Sequence, residues 1–284
     1  MRLVRFGEPG RERPGLVDAQ GTLRDLSGHL EDIDSKSIRA GELAQVHSLD
    51  ATSLSAVQGQ PRLGCPVGHI GKIVCIGLNY TDHAAEVGAA LPTEPIVFMK
   101  STTSICGPDD DVLLPPGSEQ SDWEVELGVV IGRRMRFVAE ADALKHVAGY
   151  CIVNDVSERF DQIKRGSQWT LGKSHDTFCP VGPWLVTADE VSDPQQLAMW
   201  CEVGDHRMQE SHTSRMIFGV AHCLAHLSCF LTLEPGDLVA TGTPAGVGLG
   251  KKPPRFLRDG ETMRLGIAGL GVQTQAVKRA SRPA

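Results

Sequence analysis

Apolar residues in this chain recur mostly with period two and in short runs, the pattern of strands and not of long helices. MRLVRF at the start alternates as a strand does, and GLVDAQGTLRDL reads as a hairpin turning about Asp18, Ala19, Gln20 and Gly21. Residues 26 to 60 keep no steady period. QPRLGCPVGHIGK then has the Pro and Gly punctuation of a connector. Beyond it KIVCIG and PIVFMK read as strands, with LNYTDHAAEVGAA between them as a short helix that Asn79 or Thr81 would cap and Gly88 would stop. DWEVELGVVIG and CIVND are further strands, EADALKHVAGY opens helically, and residues 158 to 170 are a helix or loop. DLVATGTPAGVG ends a strand, and ETMRLGIAGLGVQTQAVK closes the chain as a hairpin. No β-α-β alternation runs through these elements. The expectation is an α+β, β-rich architecture, with a small N-terminal domain at 1–66 and a larger catalytic domain at 67–284.

Composition narrows the function. A formal charge of −7 over 284 residues gives no electrostatic case for nucleic acid. No apolar run approaches the roughly 20 residues of a membrane-spanning helix. MRLVRFGEPG carries charge where a signal peptide would be apolar, so the expected setting is cytoplasmic. The eight cysteines form no C-x-x-C pair and mostly sit among apolar residues, as reduced packing thiols do.

Polar residues in the wrong places carry the chemistry. In SDWEVELGVVIG, Glu124 and Glu126 fall two apart on a strand and so share a face. Either that face is solvated, or the two carboxylates relieve their repulsion on a shared cation. Asp155 ends the apolar strand CIVND, as a turn former or as a third ligand. Three carboxylates would suit Mg²⁺, Mn²⁺ or Ca²⁺ and leave positions for water and a chelating substrate. His83 and Glu86 lie three apart on the short helix, where Glu86 could fix the imidazole tautomer and leave the other nitrogen as a base, or where both could simply be solvated. RFDQIKRGSQWTLGKSHDTFCPVGP carries Arg159, Gln162, Lys173 and Asp176. A lysine among apolar and small residues can serve an anion, and the other reading is surface charge. ATGTPAGVG offers Thr241 and Thr243 hydroxyls before a Gly-rich loop that is neither a Walker loop nor G-x-G-x-x-G. His222 and His226 have helical i, i+4 spacing, but no Glu follows His222, and both fall opposite the apolar face.

Jointly these segments resemble the fumarylacetoacetate hydrolase family: GLNYTDHAAE, WEVEL, GYCIVNDVSERFDQ, WTLGKSHD and TGTP occur in the family's order and spacing. The chain is most similar to the bacterial branch that includes 2,4-diketo-3-deoxy-L-rhamnonate and -fuconate hydrolases. The resemblance implies a rolled, barrel-like mixed sheet and a homodimer. It implies Mg²⁺ or Mn²⁺, with Ca²⁺ as a crystallographic substitute, on Glu124, Glu126 and Asp155. It implies a water-activating His83–Glu86 pair, and substrate or charge-stabilising roles for Lys173, Arg159, Gln162 and Thr243. Phe160 departs from the family pattern, which often has an acid directly after the arginine, and Cys179 stands where a small or apolar residue is usual. The expected activity is metal-dependent hydrolysis of a carbon–carbon bond in a 2,4-diketo acid, such as a 2,4-diketo-3-deoxy sugar acid, releasing pyruvate. The alternatives are isomerisation of an unsaturated 2-oxo diacid, decarboxylation of oxaloacetate, or a metal-binding protein without catalysis. Loops 86–95 and 205–216 are expected to meet the distal half of the substrate.

Overall fold

A computed structural model describes residues 1–166 and 168–281. The strands that matter for the site are β1 (Arg2–Phe6), β2 (Arg13–Val17), β3 (Leu23–Asp25), β4 (Ile73–Gly77), β5 (Ile96–Lys100), β6 (Val112–Leu114) and β7 (Val125–Ile131). They continue as β8 (Val147–Asn154), β9 (Cys179–Thr187), β10 (Ala198–Val203), β11 (His206–His212), β12 (Leu238–Ala240), β13 (Thr262–Ile267) and β14 (Gly271–Arg279). Four helices recur below: α1 (Thr81–Val87), α2 (Arg159–Ile163), α3 (Thr170–Lys173) and α4 (Val220–Phe230).

An eleven-stranded sheet runs in the order β3-β2-β1-β9-β8-β7-β12-β4-β5, with two short strands at its side. It stays open and does not close as a barrel. A five-stranded sheet, β11-β10-β13-β14-β6, lies beside it. The alternating side chains of the large sheet divide between two cores. Val74, Ile76, Val125, Leu127, Val129 and Ile131 pack toward the second sheet and α4. Ile73, Cys75, Val130, Cys151 and Val153 face the opposite way, where Leu26, Ile33 and Ile38 of the N-terminal segment cover them. The fold is thus β-rich α+β, as the apolar pattern implies.

The hairpin about Asp18 forms as expected: β2 and β3 pair antiparallel, and the Asp18 carboxylate accepts the Gln20 and Thr22 amides at 3.0 and 2.8 Å. The N-terminal strands join the large sheet directly, with Leu3 opposite Leu185.

Local details differ from expectation at three places. Tyr80, not Asn79 or Thr81, is the N-cap of α1, and it makes no side-chain capping bond. Tyr80 is fully buried, and the Asn79 amide is already committed, donating to the carbonyls of Phe218 and Thr241 and accepting from the Phe218 amide. Gly88 does stop α1, in the left-handed region at φ 68°. The predicted DWEVELGVVIG strand is interrupted, because Ser121–Asp122 pairs separately with Ser157–Glu158 and the long strand begins only at Val125. Among the cysteines Cys229 is exposed, at the outer end of α4.

Candidate metal centre and active site

The site forms where the central strands of the large sheet end. Val125 is registered with Asn154, so the residues just beyond the ladder, Glu124 and Asp155, are cross-strand neighbours, and the Asp155 amide donates to the Glu124 carbonyl at 2.9 Å. Glu126 follows Val125 on β7, and its Oε2 accepts the amide of Gly242 at 2.8 Å. Gly242 follows β12 at φ +99°, and a Cβ there would meet the Asn79 side chain. Only glycine lets the backbone turn here and bring its N–H to Glu126. Carboxylate oxygens of Glu124, Glu126 and Asp155 all fall within 4.8 Å of one another, and all three residues are buried.

Three buried cations stand against these acids. The Lys173 ammonium, from the end of α3, lies 2.7 Å from both Glu124 Oε2 and Asp155 Oδ2. Arg159, at the start of α2, bonds Asp122 through Nε at 2.9 Å and Gln162 Oε1 through Nη1 at 3.0 Å. Its Nη2 lies 2.6 Å from Glu124 Oε1 as an ion contact without hydrogen-bond alignment. Lys100, the last residue of β5, bonds Asp155 Oδ1 at 2.6 Å.

Ionisation follows from this arrangement. Burial alone would raise the Glu124 carboxyl, but Lys173 and Arg159 outweigh it and hold the group down at about 2. Glu126 goes the other way: burial, then the charges of Asp155 and Glu124, push it well above the ordinary carboxylate range. Burial would lower Lys173, yet Asp155 and Glu124 raise it above the usual lysine value, so it stays an ammonium. Burial likewise works against the Arg159 charge, and Asp122 and Glu124 more than restore it.

The residues fit a divalent cation. The donors are oxygens only, which suits Mg²⁺, Mn²⁺ or Ca²⁺ over zinc. Among the described residues, the Gly242 amide makes the one hydrogen bond to the Glu126 carboxylate, which sits between two other acids. A cation answers both shortfalls.

A cavity of about 60 Å³ opens on two of the three acids, lined by Glu124, Glu126, Lys173, Arg159, Gln162, His83 and Thr243, with Ile76, Leu78, Phe98 and Trp169 as its apolar side. His83 Nδ1 is 3.3 Å from Glu86 Oε2, and both Glu86 oxygens accept the Gly246 amide, at 2.9 and 3.0 Å. The TGTP loop therefore fixes Glu86, and Glu86 faces the imidazole. Thr243 Oγ1 donates to the Val125 carbonyl at 3.0 Å and accepts from Gln209 at 2.8 Å. Larger grooves lie elsewhere, one of about 600 Å³ beside Arg62. There the charges are already matched, Arg62 against Asp110 and Glu12.

All nine residues singled out from the sequence line this cavity or bond to a residue that does. Four other candidates are elsewhere. Asp176 is exposed and does not line the cavity. Thr241 bonds the Leu127 carbonyl in the sheet. His222 pairs with Glu140 at the surface, and His226 stacks between His222 and Phe230. No residue of 86–95 or 205–216 lines the cavity itself; Glu86 meets it through His83 and Gln209 through Thr243, while Phe98 and Trp169 form part of its apolar wall. Phe160 is half-exposed, while Asp161 pairs with His175 and Arg165, so the local network closes without an acid at position 160. Cys179 is packing: it sits in the apolar core, and burial pushes its thiol up to about 12. Sequence reasoning missed Lys100 and Asp122. The signal for Lys100 was a lone cation closing the apolar run PIVFM. Asp122 was visible only as one more acid two residues before Glu124.

Residues 72–278 match the family model described as the C-terminal region of fumarylacetoacetate (FAA) hydrolase. The chain belongs to the fumarylacetoacetate hydrolase family. A Burkholderia cenocepacia protein whose name proposes only a hydrolase is 55% identical over 281 residues, covering 99% of this chain and 100% of the relative. The fumarylacetoacetate hydrolase of Exiguobacterium antarcticum is 36% identical with a TM-score of 0.89, over 99% of this chain and 100% of that one. A Sphingobium maleylpyruvate hydrolase, solved with manganese(II) and pyruvate, is 31% identical with a TM-score of 0.82, at the same coverage. The family holds isomerases as well: the 2-hydroxyhepta-2,4-diene-1,7-dioate isomerase of Mycobacterium marinum is 34% identical with a TM-score of 0.75, again over 99% and 100% of the two chains. Membership makes this chain a fumarylacetoacetate hydrolase-type hydrolase or isomerase.

Proposed function

We propose that this protein is a metal-dependent hydrolase that cleaves the carbon–carbon bond between C3 and C4 of a 2,4-diketo acid and releases pyruvate, with a 2,4-diketo-3-deoxy sugar acid as the first substrate to test. The observation that carries this reading is the convergence of two buried carboxylates, a lysine and a carboxylate-oriented histidine on one cavity, with the buried Asp155 carboxylate close against the other two. The solved Sphingobium relative with manganese(II) and pyruvate supports it.

Glu124, Glu126 and Asp155 would hold Mg²⁺ or Mn²⁺, which would supply positive charge to offset the negative charge of the substrate and of its cleavage. Glu86 faces Nδ1 of His83, which leaves Nε2 to take a proton from water. That water adds to the C4 carbonyl. Lys173 supplies a charged donor for the oxyanion that forms there, and Arg159 and Gln162 hold the substrate at the same wall. Breaking the C3–C4 bond then leaves its electron pair on C3, His83 returns the proton taken from water to that carbon, and the products are pyruvate and the acid of the distal acyl group. Ile76, Leu78, Phe98 and Trp169 keep that side of the cavity dry.

The presence of a water-activating pair favours hydrolysis over isomerisation, which needs no water. Pyruvate release should be followed with a 2,4-diketo-3-deoxy sugar acid, fumarylpyruvate, acetylpyruvate and oxaloacetate, each with Mg²⁺, Mn²⁺ or chelator. Metal-dependent release from a diketo acid is the expected result. Release from oxaloacetate alone would make the protein a decarboxylase, and turnover of an unsaturated 2-oxo diacid without cleavage would make it an isomerase.

A further inference from the structure

Lys100 is a buried charge without a role in the reaction above. Its side chain is wholly inaccessible to solvent. Its ammonium donates to Asp155 Oδ1 at 2.6 Å and to the Val156 carbonyl at 3.1 Å. Asp155 is thus held by two lysines, one on each oxygen, with Lys173 on Oδ2 at 2.7 Å.

The surroundings of the two lysines differ. Lys173 lines the cavity and spans Glu124 and Asp155, in the space between the carboxylates where a cation would sit. A cation binding there competes directly with its ammonium for the same oxygens. Lys100 does not line the cavity, and a main-chain carbonyl fixes it from a second side. No water can replace Asp155 as its partner at that depth, and an unpaired buried ammonium is costly. Lys100 therefore keeps Oδ1 when Lys173 gives up Oδ2.

We propose that Lys100 is a positioning residue that withholds Asp155 Oδ1 from the metal, limits Asp155 to one coordinating oxygen, and so biases the site toward Mg²⁺ and Mn²⁺ over Ca²⁺. The inference rests on the divalent-metal reading of the trio. Its basis is coordination number: Ca²⁺ takes six to eight oxygens and often uses both oxygens of a carboxylate, whereas Mg²⁺ requires a compact octahedron. Removing one oxygen from the set therefore penalises Ca²⁺ more. If Lys100 merely neutralised charge, it would weaken all divalent ions alike and leave their ratio unchanged.

The test is Mn²⁺ binding to the full chain by electron paramagnetic resonance, with Mg²⁺ and Ca²⁺ as competitors, in the wild type and in Lys100→Met. The ratio of Ca²⁺ to Mg²⁺ affinity should rise about tenfold in the variant, the scale of one hydrogen bond to a charged group. A folded variant in which all three affinities shift together would overturn the proposal. If Lys100→Met does not fold, a crystal structure of the Mn²⁺-loaded wild type decides. One Asp155 oxygen on the metal and the other on Lys100 supports the inference, and two oxygens on the metal refute it. Wild-type protein that binds no Mn²⁺ removes the metal reading and this inference together, whereas binding with an unchanged ratio removes this inference alone.

Discussion

Glu126 and His83 line one cavity, and their substitutions should separate two failures. Glu126→Ala removes a proposed ligand, so Mn²⁺ affinity should fall by more than the roughly 10–100-fold that losing an outer-shell partner costs. Activity should fall with it, and isothermal titration alongside pyruvate release measures both. His83→Ala leaves the three carboxylates intact. It should bind Mn²⁺ as the wild type does while the turnover number drops about 10²–10⁴-fold, the usual loss for a general base. Full turnover in that variant would remove the dyad. The titration of Glu126 adds a pH dependence. Burial and two acidic neighbours raise this carboxyl in the metal-free protein, so it retains its proton to higher pH than a free glutamate. A cation must expel that proton. Affinity should therefore rise with pH up to the raised Glu126 value and then level off, and binding below it should release protons into the buffer. Calorimetry in buffers of different ionisation enthalpy reads that release, and a heat independent of the buffer would count against it.

The loop after β12 ties the elements of the site together. Its amides at Gly242, Gly246 and Gly248 go to Glu126, Glu86 and Asp122 respectively, so one segment orients a proposed metal ligand, the partner of the candidate base, and the acid that holds Arg159. Gly242→Ala should strain that segment, because φ +99° disfavours any side chain and the new Cβ would press on Asn79. A loss of about 1–3 kcal/mol is expected from the backbone conformation. Thermal denaturation gives the stability, and a variant as stable as the wild type would mean that the loop relaxes freely. The E-x-E segment shows how an element can be misread while the meeting of its side chains is anticipated. Period-two spacing puts Glu124 and Glu126 on one face of a continuous strand. In the fold Glu124 precedes the strand, yet the two carboxylates still meet, because Asn154 Oδ1 accepts the Glu124 amide and Asp155 stands opposite.

Across the whole molecule, the N-terminal 66 residues do more than sit beside the catalytic part. β1 pairs with β9, and Leu26, Ile33 and Ile38 cover the sheet face formed by Val130, Cys151, Val153 and Val181. That is the face on which, by strand alternation, Glu126 lies at the sheet's end. A chain of residues 67–284 alone should expose this apolar face and lose cooperative unfolding. Circular dichroism melts and dye binding to exposed apolar surface test it, and a sharp, wild-type-like transition would establish the two parts as independent domains.

The sequence by itself determined the strand-rich class, the hairpin at Asp18 and the polar side chains that gather at the candidate site. Alternation, turn residues and misplaced acids are local signals that survive without a partner strand. Tertiary structure decided what each polar group meets. Lys100 and Asp155 lie 55 positions apart in sequence and 2.6 Å apart in the fold, an encounter that long-range strand pairing sets and local spacing does not. His222 and His226 have a metal-like spacing, but α4 turns them to the surface, where His222 meets Glu140. Spacing along a chain sets only which side chains share a face. Which faces come together depends on strand order and register across the sheet, and those are set by distant pairings.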